Sequence, residues 1–192
     1  MTVGVKAGAR MLFLVVGPSG VGKDTLINGA CAAMAGDPGF RFVRRIITRP
    51  PGPGEDHEAV DAVEFARRRD AGKFALHWQA HGLEYGIPAD IAVDLAAGRA
   101  VVANVSRRII VQAMERFLVV VLKITAPPSM LAQRLIERGR EEPAQIADRL
   151  ARKVALPDEV LVRCVVNDRT PAHGVAAVMA ILRGHARPAV IC

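Results

Sequence analysis

A glycine-rich segment near the start of the chain has the residue types and the spacing that bind phosphate. It reads Gly17-Pro18-Ser19-Gly20-Val21-Gly22-Lys23-Asp24-Thr25. An apolar run precedes it and a helical pattern begins at Lys23, so the order is strand, loop, helix, as this motif requires. The glycines let backbone N–H groups turn inward around a β-phosphate, and the helix N-terminus adds partial positive charge. We therefore predict a nucleoside triphosphate site in which Lys23 bridges the β- and γ-phosphates.

The residue after the lysine departs from the usual motif. That position normally holds a Ser or Thr hydroxyl that binds Mg²⁺, whereas here Asp24 follows the lysine and Thr25 comes one place later. A carboxylate is also a hard oxygen ligand for Mg²⁺. We predict that Asp24 supports the metal. Because its negative charge lies near a triphosphate, a direct contact with Mg²⁺ and a contact through water are equally open.

Short apolar runs alternate with helical patterns along the rest of the chain. The predicted strands are 11–16, 40–47, 74–80, 100–105, 117–125 and 161–166. The predicted helices are 23–35, 62–71, 88–97, 106–115, 128–138, 143–155 and 171–183. This alternation is typical of βα units around a buried parallel sheet, so we predict an α/β fold with helices flanking the sheet.

Two segments interrupt the alternation. Residues 48–57 are dense in Pro and Gly, which predicts a loop. In residues 138–143 a glycine and then a proline separate two charged helical patterns, which indicates a hinged helical flap. The chain shows no internal repeat and no low-complexity linker, so we expect one domain over residues 1–192.

Composition narrows the class of protein further. The 192 residues are 51% hydrophobic and 23% charged, which suits one folded domain and not a disordered chain. Cys31, Cys164 and Cys192 form no metal-ligand or paired pattern, which favours a reducing compartment without structural zinc. The apolar run 11–16 is shorter than the core of about 7 to 15 residues in a secretory signal. No run approaches the ~20 residues of a membrane span, so we predict a cytoplasmic protein without a membrane partner.

The net charge of +7 and the pI near 10 raise nucleic acid as a possible partner. Of the 26 basic residues, 21 are arginines, and they are spread along the whole chain. The run Arg67-Arg68-Arg69 is short and has no interleaved aromatic residues, so we interpret it as a solvated helix face. Because the arginine fork binds phosphate oxygens in pairs, we attribute part of the charge to small phosphorylated ligands and expect no nucleic-acid partner.

Further motifs accompany the glycine-rich loop. They are Thr48-Arg49-Pro50-Pro51 with Gly54-Glu55, Trp78-Gln79-Ala80-His81-Gly82-Leu83, Tyr85-Gly86-Ile87-Pro88, Asn104-Val105-Ser106-Arg107, Arg134-Leu135, Arg138-Gly139-Arg140-Glu141 and Arg149-Leu150. Jointly they resemble the guanylate kinases and, more closely, the ribose 1,5-bisphosphate phosphokinases of phosphonate degradation. The resemblance implies a P-loop fold like that of nucleoside monophosphate kinases, with an acceptor-binding region at about 40–100 and a helical lid at about 134–150.

The resemblance also implies the reaction. It is transfer of the γ-phosphoryl group of ATP, with Mg²⁺, to ribose 1,5-bisphosphate, which yields 5-phosphoribosyl 1-diphosphate and ADP. The acceptor is already an anion at neutral pH, so no general base is needed, and the chain offers no obvious one.

Departures from guanylate kinase argue against GMP as the acceptor. Gly52 replaces a second arginine of the proline-rich loop, and no tyrosine stands near Asp61. Leu76 aligns with a glutamate that reads the guanine edge, and a leucine accepts no hydrogen bond. Sites that lose such contacts discriminate against the ligand by factors of roughly 10⁴ or more.

On the acceptor side, the resemblance assigns phosphate binding to Arg49 and Arg45, with a further hydrogen bond from Tyr85. A solvated strand residue is the alternative for Arg45. For Glu55, contact with a ribose hydroxyl and fixing of the loop are equally open. Asn104, Ser106 and His81 complete the substrate-binding candidates. The first two end an apolar strand, where α/β sheets bind ligands, and a helix cap is the alternative for Ser106.

On the donor side, Arg134 and Arg138 lie four residues apart and share a helix face. The resemblance implies that Arg138 and Arg149 contact phosphate and act in catalysis with Lys23, and that Arg134 and Asn167 contact adenine. The alternative for the arginines is a salt-bridged surface helix, and the alternative for Asn167 is an ordinary Asn-Asp turn.

Three other functions stay open from the sequence. The chain could be a nucleoside monophosphate kinase with altered base preference, a catalytically silent binding module or, least favoured, a nucleic-acid-binding protein. Lys23 and the lid arginines argue against the silent module, which has no use for them. The oligomeric state is open, with a homodimer as one option.

Overall fold

Nine strands and six α-helices build the described part of the chain. The structure is a computed structural model that describes residues 11–52, 54–137 and 155–186. In chain order the elements are β1 (Leu12–Val16), α1 (Lys23–Ala33), β2 (Phe40–Phe42), β3 (Arg45–Ile47), β4 (His57–Ala59), α2 (Ala62–Asp70), β5 (Phe74–Ala80), β6 (Leu83–Pro88), α3 (Ile91–Ala96), β7 (Ala100–Asn104), a 3₁₀ turn (Arg107–Ile109), α4 (Ile110–Met114), β8 (Val119–Thr125), α5 (Pro128–Glu137), β9 (Leu161–Val166) and α6 (Pro171–Ala186).

Five parallel strands form the central sheet, in the order β2-β7-β1-β8-β9. Both faces of this sheet are covered, as β1 shows. Phe13 and Val15 pack with α1 and α6, whereas the alternate residues Leu12, Leu14 and Val16 pack with α3 and α4. All five residues of β1 are fully buried. A strand buried on both sides reads as a continuous apolar run, which is why the sequence predicted it correctly.

A second sheet of four strands, in the order β4-β3-β6-β5, lies beside the first. Its β5–β6 hairpin is antiparallel, whereas β3 and β4 are parallel. Helix α2 covers it through Phe65, whose ring stacks on Phe74 at a centroid distance of 4.6 Å. This sheet carries the acceptor-side residues Arg45 and Tyr85.

Three sequence predictions need correction here. The single strand predicted at 40–47 is two strands, β2 in the central sheet and β3 in the second, because the backbone changes pairing partner at residues 43–44. The sequence missed β4 and β6. Pro88, predicted to begin a helix, ends β6 opposite Phe74, and α3 begins only at Ile91.

The remaining elements agree with prediction to within a few residues. The helix predicted at 106–115 is a 3₁₀ turn followed by α4. The predicted α/β fold with a parallel sheet flanked by helices is therefore confirmed. The flap at 138–143, residues 143–154 of the predicted helix, Cys192 and most of the predicted lid lie outside the described residues. Within the described ranges, the helices are too short or too polar to cross a membrane.

Candidate active site

The phosphate-binding loop joins β1 to α1 at the centre of the sheet. A Cβ on Gly17 would lie 2.4 Å from the carbonyl oxygen of Ile124 in β8, so only glycine fits there. Gly22 has φ of +87°, a conformation that glycine adopts without strain. Lys23 Nζ donates hydrogen bonds to the carbonyl oxygens of Gly17 (2.8 Å) and Pro18 (3.0 Å). The loop therefore holds the ammonium group against its own backbone.

Asn167 fixes the loop from the opposite side. The residue is 6% exposed and follows β9, and its Nδ2 donates to the carbonyl oxygen of Val21 at 2.8 Å. Its backbone N–H donates to the carbonyl oxygen of Thr125, the last residue of β8. A Cβ on Gly22 would come within 2.7 Å of the same Nδ2. Asn167 thus couples the loop to the edge of the sheet.

A cavity of about 310 Å³ opens on this side of the loop. It is lined by Gly20, Gly22, Thr25, Leu26, Arg134, Asn167, Arg169 and Pro171. Arg134 Nη2 donates to the carbonyl oxygen of Asn167 at 3.3 Å, while its Nη1 is buried with no hydrogen-bond partner among the described residues. The two residues predicted for the adenine side therefore meet in one cavity.

A second cavity of about 380 Å³ opens on the other side of the loop. It is lined by Gly17, Pro18, Ser19, Lys23, Arg45, Trp78, Ala80, His81, Tyr85, Asn104, Val105, Ser106, Arg107 and Arg108. Four of these side chains are cationic, and no Asp or Glu occurs among the residues described as its lining. Such a cavity suits a strongly anionic ligand.

Asp24 joins the loop to this second cavity. Its Oδ1 accepts hydrogen bonds from Arg45 Nη2 (3.1 Å) and from Asn104 Nδ2 (2.8 Å). Asn104 is the last residue of β7, which pairs with β1, so the ends of adjacent parallel strands bring the two segments together. Arg45 comes from β3 and is only 15% exposed in its side chain. Arg45 and Asn104 therefore hold one carboxylate oxygen of Asp24 beside the phosphate loop.

The residues around Asp24 fit a nucleotide-bound magnesium ion. Both described hydrogen bonds of the carboxylate fall on Oδ1, and the Thr25 hydroxyl lies one residue further along α1. Among the described residues, no group of three or more His, Cys, Asp or Glu side chains is arranged to hold a metal ion by itself. This donor set matches Mg²⁺ as it is bound with nucleotide phosphates, through few carboxylates and several waters.

An aromatic pair forms one wall of the second cavity. Trp78 and Tyr85 face each other across β5 and β6 and stack nearly parallel, with ring centroids 5.2 Å apart and an interplanar angle of 6°. The hairpin turns through His81 and Gly82, both with positive φ, which is the pattern of a type I′ turn. Leu76, at the position expected for a guanine-reading residue, is fully buried in the core.

The proline-rich loop is stabilised by its own charged residues. Arg49 Nη2 donates to Glu55 Oε2 at 2.5 Å, and the backbone N–H of Gly52 donates to the same oxygen at 3.3 Å. Burial raises the pKa of Glu55, but these hydrogen bonds outweigh it and hold the pKa below its usual value. His57 is buried, and its Nε2 lies 3.0 Å from the carbonyl oxygen of Arg49. Glu55 therefore fixes the loop, one of the two roles that the sequence left open.

The arginine run at 67–69 lies on α2 and is engaged by carboxylates. Arg67 and Arg68 both donate to Glu64, and these bonds lower the pKa of Glu64 to about 2. Arg69 donates to Asp70. The interpretation as a solvated helix face holds for Arg67 and Arg69, which are exposed, whereas Arg68 is partly buried.

Comparison with known proteins places the chain in a family. A protein of Acidiphilium cryptum, named ribose 1,5-bisphosphate phosphokinase PhnN, is 52% identical over 171 residues, which cover 89% of this chain and 91% of the relative. The chain belongs to the ribose 1,5-bisphosphate phosphokinase family. A relative of the same name from Rhodopseudomonas palustris is 45% identical over 182 residues, or 94% of this chain and 92% of that protein. No protein-family model matches the chain.

Solved structures agree on the fold of this phosphokinase family member. A guanylate kinase from Anaplasma phagocytophilum superposes with a TM-score of 0.65 at 20% identity, over 96% of this chain and 92% of that one. A gluconokinase from Sinorhizobium meliloti gives a TM-score of 0.50 at 19% identity, over 93% and 94%. At such identities the likeness shows the fold alone, and it confirms the predicted P-loop kinase architecture.

The structure gathers most of the predicted phosphokinase site residues. Five predicted acceptor-side residues line the second cavity: Arg45, His81, Tyr85, Asn104 and Ser106. Ser106 also accepts a hydrogen bond from the backbone N–H of Arg108, so its alternative role as a helix cap is confirmed. Arg49 and Glu55 pair with each other and are absent from the described lining of both cavities. Arg138 and Arg149 lie outside the described residues.

Sequence reasoning assigned no site role to four aromatic or cationic residues that line the phosphokinase cavities: Trp78, Arg107, Arg108 and Arg169. Trp78 and Arg107 appeared in the motifs of the sequence but were given no role there. Arg107 and Arg108 could have been found from their position just after β7, since ligands of parallel sheets bind at the carboxyl ends of the strands.

Proposed function

We propose that the protein transfers the γ-phosphoryl group of ATP to the 1-phosphate of ribose 1,5-bisphosphate. The products are 5-phosphoribosyl 1-diphosphate and ADP. The observation that carries the proposal is the cavity beside Lys23, which is lined by four cationic side chains and by no described carboxylate. An acceptor with two phosphates suits this cavity, and the relatives named for this activity are about half identical in sequence.

The reaction needs positioning and charge neutralisation more than proton transfer. An oxygen of the 1-phosphate attacks the γ-phosphorus, the bond to the β–γ bridging oxygen breaks, and ADP leaves. The attacking oxygen is already ionised near neutral pH, so no side chain has to remove a proton. Preorganised cations stabilise the charge that shifts toward the leaving group.

On the donor side, the loop N–H groups and Lys23 hold the phosphates. Asp24 would hold Mg²⁺ with the Thr25 hydroxyl nearby, and the ion would supply positive charge to the triphosphate. Arg134 and Asn167 line the cavity assigned to adenine. Arg138 and Arg149 are proposed to add positive charge at the transferred group.

On the acceptor side, Arg45 lies next to Asp24 and therefore close to the transfer point. We assign the 1-phosphate to Arg45 and the sugar to Tyr85, His81, Asn104 and Ser106. Arg49 is proposed to bind acceptor phosphate as well, which requires exchange of its contact with Glu55.

We further propose that the whole chain is one kinase domain, with the acceptor region at about 40–100 and a lid at about 134–150. We assign the reaction to phosphonate degradation in the cytoplasm. The alternative acceptor, GMP, is disfavoured because the apolar Leu76 side chain is fully buried and offers the guanine edge no partner.

An acceptor comparison tests the proposal. Purified protein with ATP and Mg²⁺ is assayed for ADP release with ribose 1,5-bisphosphate, GMP, dGMP or no acceptor. We expect release to depend on ribose 1,5-bisphosphate and to be lost in Lys23→Ala. Stimulation by GMP alone would overturn the proposal in favour of a nucleoside monophosphate kinase.

A further inference from the structure

Ribose 1,5-bisphosphate, the acceptor of the proposed function, carries a second phosphate that does not react. Each phosphate monoester bears roughly −1.5 to −2 charges near pH 7. The 1-phosphate must lie beside the loop, because it receives the γ-phosphoryl group. The 5-phosphate lies across the ribose ring from it and needs cationic partners of its own.

The cationic side chains of the acceptor cavity fall into two groups. Lys23 and Arg45 are tied to the phosphate loop, the first through loop carbonyls and the second through Asp24. Arg107 and Arg108 come from the 3₁₀ turn that follows β7, beyond Asn104 and Ser106. Lys23 and Arg45 lie beside the phosphate loop, and Arg107 and Arg108 line the same cavity from a different element.

The backbone at the second group is fixed in place. The Ser106 side chain accepts from the backbone N–H of Arg108, and the backbone N–H of Ile109 donates to the carbonyl oxygen of Ser106. Ile109 and Ile110 are buried in the core directly after the arginines. The turn therefore presents the arginine pair from a rigid anchor.

The side chain of Arg108 differs from the arginines between residues 41 and 99, which are engaged by carboxylates. These arginines are Arg41, Arg44, Arg45, Arg49, Arg67, Arg68, Arg69 and Arg99. Arg108 is exposed, lines the cavity and forms no ion pair with a carboxylate of the described ranges. Its guanidinium group is placed to bind a phosphate in the bidentate manner that arginine favours.

We propose that Arg108, flanked by Arg107, binds the unreacted 5-phosphate and so selects a doubly phosphorylated sugar. This assignment rests on the proposed function. A nucleoside monophosphate has a base in place of that second phosphate, so it would leave Arg108 without a phosphate partner.

The test compares wild type with Arg108→Ala at saturating ATP. We expect KM for ribose 1,5-bisphosphate to rise about 10- to 100-fold, as for loss of a charge-assisted hydrogen-bonded pair. KM for ATP and the thermal midpoint should not change. Arg108→Lys should recover part of the loss, since it keeps the charge and loses the fork. Arg183→Ala, an exposed charge on α6 away from both cavities, controls for the change in net charge.

A second acceptor separates a phosphate contact from a general defect. Ribose 1-phosphate lacks the 5-phosphate, and its transfer is followed with excess enzyme so that slow turnover is measured. Wild type should strongly prefer the bisphosphate, whereas Arg108→Ala should lose most of that preference. An unchanged KM, or equal losses with both acceptors, overturns the assignment of Arg108 while the proposed function stands. Absence of any bisphosphate-dependent ADP release in wild type overturns both.

Discussion

Replacement of Asn167 by alanine tests how the phosphate loop is held. The change removes the 2.8 Å hydrogen bond from Nδ2 to the carbonyl oxygen of Val21. Val21 is fully buried, so its carbonyl group loses a partner where water has little access. An unsatisfied buried group costs about 1–3 kcal/mol. We expect Asn167→Ala to lower the free energy of unfolding by about that amount.

The same change should weaken ATP binding, because the loop loses its tie to the sheet edge. A looser loop has to be ordered by the nucleotide, and a cost of 1.4 kcal/mol corresponds to about a tenfold loss of affinity. We therefore expect KM for ATP to rise by about tenfold, with KM for the acceptor changed much less.

Urea denaturation and steady-state kinetics measure both effects. Asn28→Ala is the matched control, because that exposed amide donates to the Gly54 carbonyl oxygen at 3.3 Å, away from the phosphate loop. Asn28→Ala should leave KM for ATP unchanged. Equal urea midpoints and equal KM values for Asn167→Ala and wild type would refute the positioning role.

Three further predictions concern single residues of the site. Asp24→Asn keeps an oxygen that can accept hydrogen bonds from Arg45 and Asn104 but loses the negative charge. The Mg²⁺ concentration for half-maximal activity should therefore rise 10- to 100-fold. An unchanged concentration would exclude Asp24 from metal support. Because the pKa of Glu55 is lowered, its contribution to stability is complete above the usual value of 4.5 and is lost as pH falls through the lower folded-state pKa. Thermal midpoints followed below pH 4.5 should therefore fall more steeply in wild type than in Glu55→Gln, and parallel curves would contradict this. Trp78→Ala removes the stack on Tyr85, which is worth about 0.5–1.5 kcal/mol. KM for the sugar bisphosphate should therefore rise several-fold in Trp78→Ala and stay near the wild-type value in Trp78→Phe. Equal KM values in both variants would contradict a role for the aromatic wall.

The central sheet and the phosphate loop could be predicted from the sequence because their signals are local. Apolar, β-branched runs mark strands that are buried on both faces, and the lysine and glycines of the loop sit between such a strand and a helix. Asn167 was also found, though as an adenine contact. Its hydrogen bond to the loop depends on how β9 ends relative to β1, which is a tertiary property.

The second sheet was harder to predict because its signals are weak. His81-Gly82 is a less usual hairpin pair than Asn-Gly, so β6 was missed and Pro88 was misinterpreted as a helix start. The apolar pattern at 40–47 shows that the segment is extended but not which neighbour it pairs with. Arg107 and Arg108 could be given a role only from the structure, which shows that they line the same cavity as the phosphate loop.

The identity of the product tests the central claim most directly. Wild-type protein, ATP, Mg²⁺ and ribose 1,5-bisphosphate are incubated, and the mixture is followed by ³¹P NMR. We predict that a diphosphate at C1 of the ribose appears together with ADP in equal amounts, while the 5-phosphate resonance remains that of a monoester. ADP formation matched by inorganic phosphate, or a diphosphate that forms only when GMP is the acceptor, would contradict the account.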